Sequence, residues 1–162
     1  MARRTLVAAL AALGLAAGAA LAADPALPAG PASPAGQALL ARQAHFREQA
    51  AGFKAINDEL KKDAPDKAVI AANATKIKGT AADLPTWFPK GSGPETGLKT
   101  AAKAEIWTDA EGFDKAAAQL QAETVKLEQL AMVGDLDAIK TQARAVGAAC
   151  GACHAKYRAA AS

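Results

Sequence analysis

The sequence predicts an all-α fold, an antiparallel four-helix bundle, on three observations. Alanine is abundant, aromatic residues make up only 4% of the 162 residues, and no run of strand-favouring residues occurs. Apolar residues recur at intervals of three, four and seven along four separate segments, which is the spacing of amphipathic helices facing a common interior. All but one of the connections are short, so neighbouring helices are expected to run antiparallel.

Residues 1–23 are predicted to be a cleaved export signal. Arg3 and Arg4 form a short basic region, and the apolar run from Leu6 to Leu21 follows. That run is shorter than the ~20 residues needed to span a bilayer, and the small residues Ala20 and Ala22 fit a cleavage site. We therefore expect a periplasmic protein that has no membrane contact after cleavage.

Residues 24–36 are predicted to be a disordered, proline-rich tether, and residues 37–162 to be the bundle domain. In the tether, prolines recur at every third position among Ala and Gly, which favours an extended, polyproline-like chain: Pro25, Pro28, Pro31 and Pro34. The chain without its signal holds 17 basic and 16 acidic residues, since two of the 19 basic residues are Arg3 and Arg4. This near-neutral balance gives no electrostatic basis for binding nucleic acid.

The first predicted helix spans residues 37–62 and the second spans residues 65–84. Apolar side chains are spaced by sevens in the first: Leu39, Phe46, Phe53 and Leu60. The second opens at Pro65, a residue tolerated at a helix start, and has the same spacing: Ile70, Ile77 and Leu84. Each helix therefore presents one apolar stripe to the interior.

The third predicted helix begins with the capping-box pattern Thr108-Asp109-Ala110-Glu111 and runs to about residue 131. Gly134 and Asp135 then end it and start the fourth helix, with Asp135 as N-cap. The fourth helix has apolar residues at alternating intervals of three and four as far as Tyr157. Residues 85–103 contain too many prolines and glycines for a regular helix, and we expect this long connection to wrap one edge of a bound group.

The fourth helix carries Cys150-Gly151-Ala152-Cys153-His154, the pattern required for covalent attachment of one c-type haem. Each thiol bonds one vinyl group of the haem, and the His154 imidazole supplies an axial ligand to the iron. A disulfide between the two cysteines, closing a haem-free helical module, is the alternative. A zinc site would need two further ligands, for which only His45 and scattered carboxylates remain.

The function depends on which side chain faces the other side of the iron. Met1 belongs to the signal and Met132 falls at a helix end beside a turn, so methionine is poorly placed. His45 points about 100° away from the centre of the apolar stripe, which favours a position on the rim. Phe46 is then the distal residue, and a five-coordinate, high-spin haem that admits diatomic gases follows. A low-spin electron carrier with His45 as the sixth ligand is the alternative.

Arg42 lies one turn before Phe46 on the same side of the first helix. Two interpretations are open: a charge-assisted hydrogen bond to a haem propionate, or a solvated helix charge. The sequence shows no recognisable substrate pocket or acid–base pair, so we do not expect an enzyme.

From about residue 37 to residue 158, the chain resembles the cytochrome c-prime family, including its c-556 relatives. The resemblance rests on the haem motif continued by Ala155-Lys156-Tyr157-Arg158, on Arg42-Gln43 with Phe46, and on the stretch from Lys99 to Trp107. It implies an antiparallel bundle, often a homodimer through its first two helices. It also implies a pentacoordinate haem whose distal face is blocked by an apolar side chain.

The resemblance further implies that Arg42 and Gln43 approach the haem propionates, together with Ser92 and Glu95 of the long connection. Gln49 stands where the family commonly has methionine, three residues after the distal position. Members of the family bind nitric oxide and carbon monoxide, and are associated with electron transfer and protection from nitrosative stress. The implied partners are therefore diatomic gases and a small periplasmic redox protein.

Overall fold

The computed structural model describes residues 30–160, which form an antiparallel bundle of four long helices. The helices are α1 (Pro34–Glu59), α2 (Lys67–Asp83), the one-turn α3 (Glu105–Thr108), α4 (Ala110–Val133) and α5 (Leu136–Tyr157). The predicted all-α bundle is thus confirmed, while the predicted export signal and residues 24–29 of the predicted tether lie outside the described residues. Within residues 30–160, no helix is long and apolar enough to cross a membrane.

α1 begins three residues before the predicted start, because Ser33 caps it. The Ser33 hydroxyl accepts a hydrogen bond from the Gly36 amide at 3.0 Å, and Pro34 occupies the first turn, where no amide donor is needed. The last three residues of the predicted tether are therefore helical. α1 also ends earlier than predicted, at Glu59.

The turn between α4 and α5 forms as predicted. Gly134 ends α4 in the left-handed region at φ 80°, where glycine carries no steric penalty. The Asp135 carboxylate caps α5 by accepting from the amides of Asp137 and Ala138, each at 3.1 Å. At the other end of α4, the N-cap is Asp109 rather than Thr108, since the Asp109 carboxylate accepts from the Gly112 amide at 3.3 Å.

The helices pack in chain order around a common core, with α1 on α2, α2 on α4 and α4 on α5, whereas contact between α1 and α5 is sparse. Aliphatic side chains with almost no exposure fill the core: Ile56, Ile70, Ile77, Leu127, Ile139 and Val146. Where α1 does meet α5, the Phe53 ring lies against Gly147. A Cβ atom on Gly147 would be 3.5 Å from Cζ of Phe53.

The connection between α2 and α3 is irregular, as predicted, apart from 3₁₀ turns at Leu84–Trp87 and Pro94–Thr96. Its last residues pair with the end of α5. The Lys103 amide donates to the Tyr157 carbonyl at 3.0 Å, and the Ala159 amide donates to the Ala101 carbonyl at 2.8 Å. We call this backbone pairing of residues 101–103 with residues 157–159 the clasp. It holds the connection against the end of α5 that carries the haem motif.

Candidate haem site

The three residues of the haem motif lie on the last turns of α5. Cys150 and Cys153 are half-buried free thiols that pack against the core. Burial raises the pKa of both thiols. Partial burial, and to a lesser extent the charge of Arg158, lowers the pKa of His154. A lowered pKa favours the neutral form of the His154 imidazole, which is the form that binds a metal ion.

Phe46 of α1 lies at the level of His154 along the bundle. The contact of Phe53 with Gly147 fixes the register of the two antiparallel helices. Seven residues back along α1 lead to Phe46, and seven residues forward along α5 lead to His154, a rise of about 10 Å in each case. The predicted distal residue and the predicted axial ligand therefore lie at about the same height along the bundle, and His154 is exposed there.

Phe46 belongs to an aromatic cluster in which its two ring partners, Trp87 and Phe88, come from the connection between α2 and α3. Its ring meets the Trp87 ring edge to face, with centroids 5.1 Å apart, and lies 6.1 Å from the Phe88 ring. Phe88 in turn makes edge contacts with Trp107 at 6.0 Å and with Phe113 at 5.0 Å. The side of Phe46 away from solvent is thus lined by carbon rather than by coordinating atoms.

Arg42 is buried, with only 3% of its surface exposed. Its guanidinium donates to the Ser92 hydroxyl at 3.1 Å, to the Ser92 carbonyl at 2.8 Å and to the Thr100 hydroxyl at 3.3 Å. Its Cζ atom also lies 4.9 Å from the centroid of the Phe88 ring. The interpretation of Arg42 as a solvated helix charge is therefore wrong.

The surroundings of Arg42 suit a haem propionate. The described partners of its guanidinium are neutral oxygens, which satisfy three of the five N–H donors of an arginine. Burial lowers the pKa of Arg42, and the charge of Glu95 opposes that shift only in part. A buried cation gains most from an anionic partner, and a propionate carboxylate offers the planar geometry that guanidinium binds best.

The other residues implied for the propionate side lie around the same end of the bundle. Ser92 is buried and bonded to Arg42, whereas Glu95 is exposed and accepts from the Gly93 amide at 3.0 Å. Gln43 is half-buried and lines a cavity of about 780 Å³ together with Lys99 and Arg158. Of these three residues, Ser92 bonds Arg42 directly, and the charge of Glu95 acts on it without a hydrogen bond.

The two alternative sixth ligands are not brought toward the motif. The His45 ring stacks on Trp87, with centroids 4.7 Å apart and planes 18° apart. It lines a groove of about 470 Å³ beside α2, and no residue of α5 lines that groove. Met132 is 66% exposed near the end of α4. Gln49, in the place of the family's methionine, directs its amide to the Thr80 hydroxyl of α2 at 3.4 Å.

A comparison with protein families identifies the family to which this chain belongs. The family model for cytochrome c' matches residues 37–158. This chain belongs to the cytochrome c' family. A cytochrome c' from Alcaligenes xylosoxydans xylosoxydans is 40% identical over 110 residues, which cover 67% of this chain and 83% of that protein. The resemblance inferred from the sequence is confirmed.

Solved structures of cytochromes c' superpose on this chain. A nitric oxide complex of a variant from Alcaligenes xylosoxidans has a TM-score of 0.71 at 33% identity and covers 78% of this chain and 97% of that one. A carbon monoxide complex of another variant of that protein has a TM-score of 0.71 at 32% identity, covering 79% and 98%. A cytochrome c' with ligand-controlled dimer dissociation has a TM-score of 0.72 at 29% identity, covering 82% and 100%.

Family membership assigns this cytochrome one covalent c-type haem, and the haem-free alternative is wrong. Cys150 and Cys153 are the only cysteines of the chain, and the structure shows both as free thiols on one side of α5.

Sequence reasoning missed the neighbours that the connection supplies, above all Trp87, Phe88 and Thr100. The one available signal was the pair of adjacent aromatic residues at 87 and 88, in a chain with few aromatic residues.

Proposed function

We propose that this protein is a periplasmic cytochrome c' whose haem has one protein ligand, His154, and whose distal face is covered by Phe46. It binds nitric oxide or carbon monoxide and transfers electrons, and it is not an enzyme. Two observations support the proposal: the contact of Phe53 with Gly147, whose register puts Phe46 and His154 at one height, and the aromatic cluster around Phe46. The haem supplies an iron that binds diatomic gases and exchanges one electron.

The chain's own residues hold the haem and control access to it. Cys150 and Cys153 would bond the haem covalently to α5, and the His154 imidazole would bind its iron; the lowered pKa of His154 favours the neutral imidazole that this requires. Arg42 would pair with a propionate, and Gln43, Ser92 and Glu95 lie at the same end of the bundle. The Phe46 ring has no atom that coordinates iron, and its apolar surface would keep water away from the iron while a small uncharged gas could still bind.

The cellular setting and the assembly belong to the same proposal. The predicted export signal supports a periplasmic location, and we infer that a small redox protein there is the electron partner. A similar cytochrome c' with ligand-controlled dimer dissociation supports a homodimer here, formed through α1 and α2.

The test is the visible absorption spectrum of the purified holoprotein, ferric and ferrous, with and without carbon monoxide. We expect broad high-spin bands that shift when the gas is added. Sharp low-spin bands that carbon monoxide does not alter would contradict the proposal. In that case a His45→Ala variant shows whether His45 is the sixth ligand, because only then does this replacement abolish the low-spin spectrum.

Covalent attachment is tested separately on a denaturing gel. The wild-type chain is expected to keep its haem after denaturation, whereas a Cys150→Ala, Cys153→Ala double variant is expected to lose it. Haem retained by the double variant would contradict the assignment of the two thioether bonds.

A further inference from the structure

We propose that Trp87 is a positioning residue that holds Phe46 in place and thereby sets how readily diatomic gases reach the iron. The inference rests on the proposed function, in which Phe46 covers the distal face. It concerns a residue outside the haem motif and outside α1, supplied by the 3₁₀ turn that follows α2.

Trp87 is itself firmly held. Only 7% of its surface is exposed, and it closes a 3₁₀ turn that begins at the buried Leu84. One face of the indole is covered by the His45 ring, stacked at 4.7 Å. The indole therefore offers Phe46 a support that moves little.

Phe46 needs such a support, because few other side chains restrict the rotation of its ring. It is only partly buried, and α1, which carries it, makes few contacts with α5. A phenylalanine with free space beside it changes rotamer easily. The edge-to-face contact with Trp87, at 5.1 Å and 90°, is its closest ring contact, and Phe88 is about 1 Å further away.

Trp87 also separates Phe46 from open space. The groove of about 470 Å³ between α1 and α2 is lined by both His45 and Trp87. A smaller side chain at position 87 would join part of that groove to the space beside Phe46. The Phe46 ring would then have room to swing aside, and a gas would reach the iron more often.

The experiment measures carbon monoxide association and dissociation on the ferrous holoprotein by stopped flow and flash photolysis. Loss of one edge-to-face aromatic contact is expected to raise the association rate constant of Trp87→Leu about three- to tenfold. The dissociation rate constant is expected to stay the same, because it reports the bond to iron, which Trp87 does not touch. Trp87→Phe, which keeps an aromatic ring but shortens it, is expected to show a smaller rise in association.

Two further variants make the result specific. Leu127→Ala creates a cavity in the half of α4 nearest to Gly134, and it controls for general loosening of the core; its association rate constant is expected to match wild type. Phe46→Ala removes the distal ring itself and is expected to give the fastest association. An unchanged five-coordinate spectrum in the position 87 variants shows that ligation by His154 is intact.

The outcomes separate this inference from the proposed function. If Phe46→Ala speeds association while both position 87 variants match wild type, the inference about Trp87 is overturned and the proposed function stands. If Phe46→Ala also leaves association unchanged, Phe46 does not cover the iron and both fail. Should Trp87→Leu not retain its haem, Trp87→Phe alone decides the matter.

Discussion

Replacing Arg42 by methionine removes a buried charge that ties α1 to the connection while keeping a side chain of similar length. The Ser92 carbonyl loses its 2.8 Å donor, which costs about 1–3 kcal/mol for a buried acceptor. The Ser92 hydroxyl is affected less, because it still donates to the Pro89 carbonyl at 2.7 Å. Loss of the contact between the guanidinium and the Phe88 ring costs about 0.5–2 kcal/mol more.

Part of that cost is offset, because burial of the guanidinium is itself unfavourable, as the lowered pKa of Arg42 indicates. We therefore expect Arg42→Met to lower the free energy of unfolding by about 2–3 kcal/mol. For a domain of this size that corresponds to a fall in melting temperature of roughly 6–12 °C. Arg42→Lys should lie between wild type and Arg42→Met, since lysine keeps the charge but lacks the fork that spans both Ser92 oxygens.

The assay is urea unfolding of the holoprotein, followed by circular dichroism and by haem absorbance. A double-mutant cycle with Ser92→Ala is expected to give a coupling free energy of about 1 kcal/mol between positions 42 and 92. An Arg42→Met variant as stable as wild type would refute the reasoning, because the guanidinium would then not organise the connection. Strict additivity of the two substitutions would contradict only the contribution of the Ser92 hydroxyl, since alanine keeps the backbone carbonyl that accepts the 2.8 Å bond.

Two further predictions concern parts of the bundle away from the haem. The hydrogen bond from Gln142, at 2.6 Å, lowers the pKa of Glu123, so its stabilisation is present at neutral pH and is lost as the pH falls through the pKa of the folded state. Gln142 also donates to the Glu123 backbone carbonyl at 3.0 Å, a bond that does not depend on this titration. Gln142→Leu should therefore destabilise more at pH 7 than in acid, as urea midpoints at each pH would show. Gly134→Ala should lower the free energy of unfolding by about 1 kcal/mol, because alanine is strained at φ 80°. Gly79→Ala, inside α2 with nothing near its added Cβ atom, should instead raise it by about 0.5–1 kcal/mol. Equal melting temperatures of the two variants would contradict this prediction.

The sequence predicts well those features that local patterns determine. The apolar spacing identified all four long helices, and Gly134 with Asp135 located the last turn, because both signals depend only on near neighbours along the chain. The helix starts were less certain where two capping residues compete. At Thr108 and Asp109 the side chain that caps is the second, so the capping-box pattern was shifted by one residue.

The parts of the site that sequence reasoning missed depend on contacts between distant segments. Nothing near Arg42 along the chain shows that Ser92 and Thr100 fold over it, so its burial was one of two open interpretations. For the same reason Trp87 received no role, although it touches both His45 and Phe46. The haem-binding residues were predictable because covalent attachment requires two cysteines and a histidine at this fixed spacing in the sequence.

The clasp has a mechanical consequence for the axial ligand. The last turn of a helix ordinarily frays, because its carbonyls lack partners along the chain. Here the Tyr157 carbonyl is bonded to Lys103, and Ala159 reaches back to Ala101. The last turn of α5, which bears His154, is thus held by hydrogen bonds to a segment outside its own helix. The loop that leads into α3 therefore helps to hold the helical turn whose histidine is the predicted iron ligand.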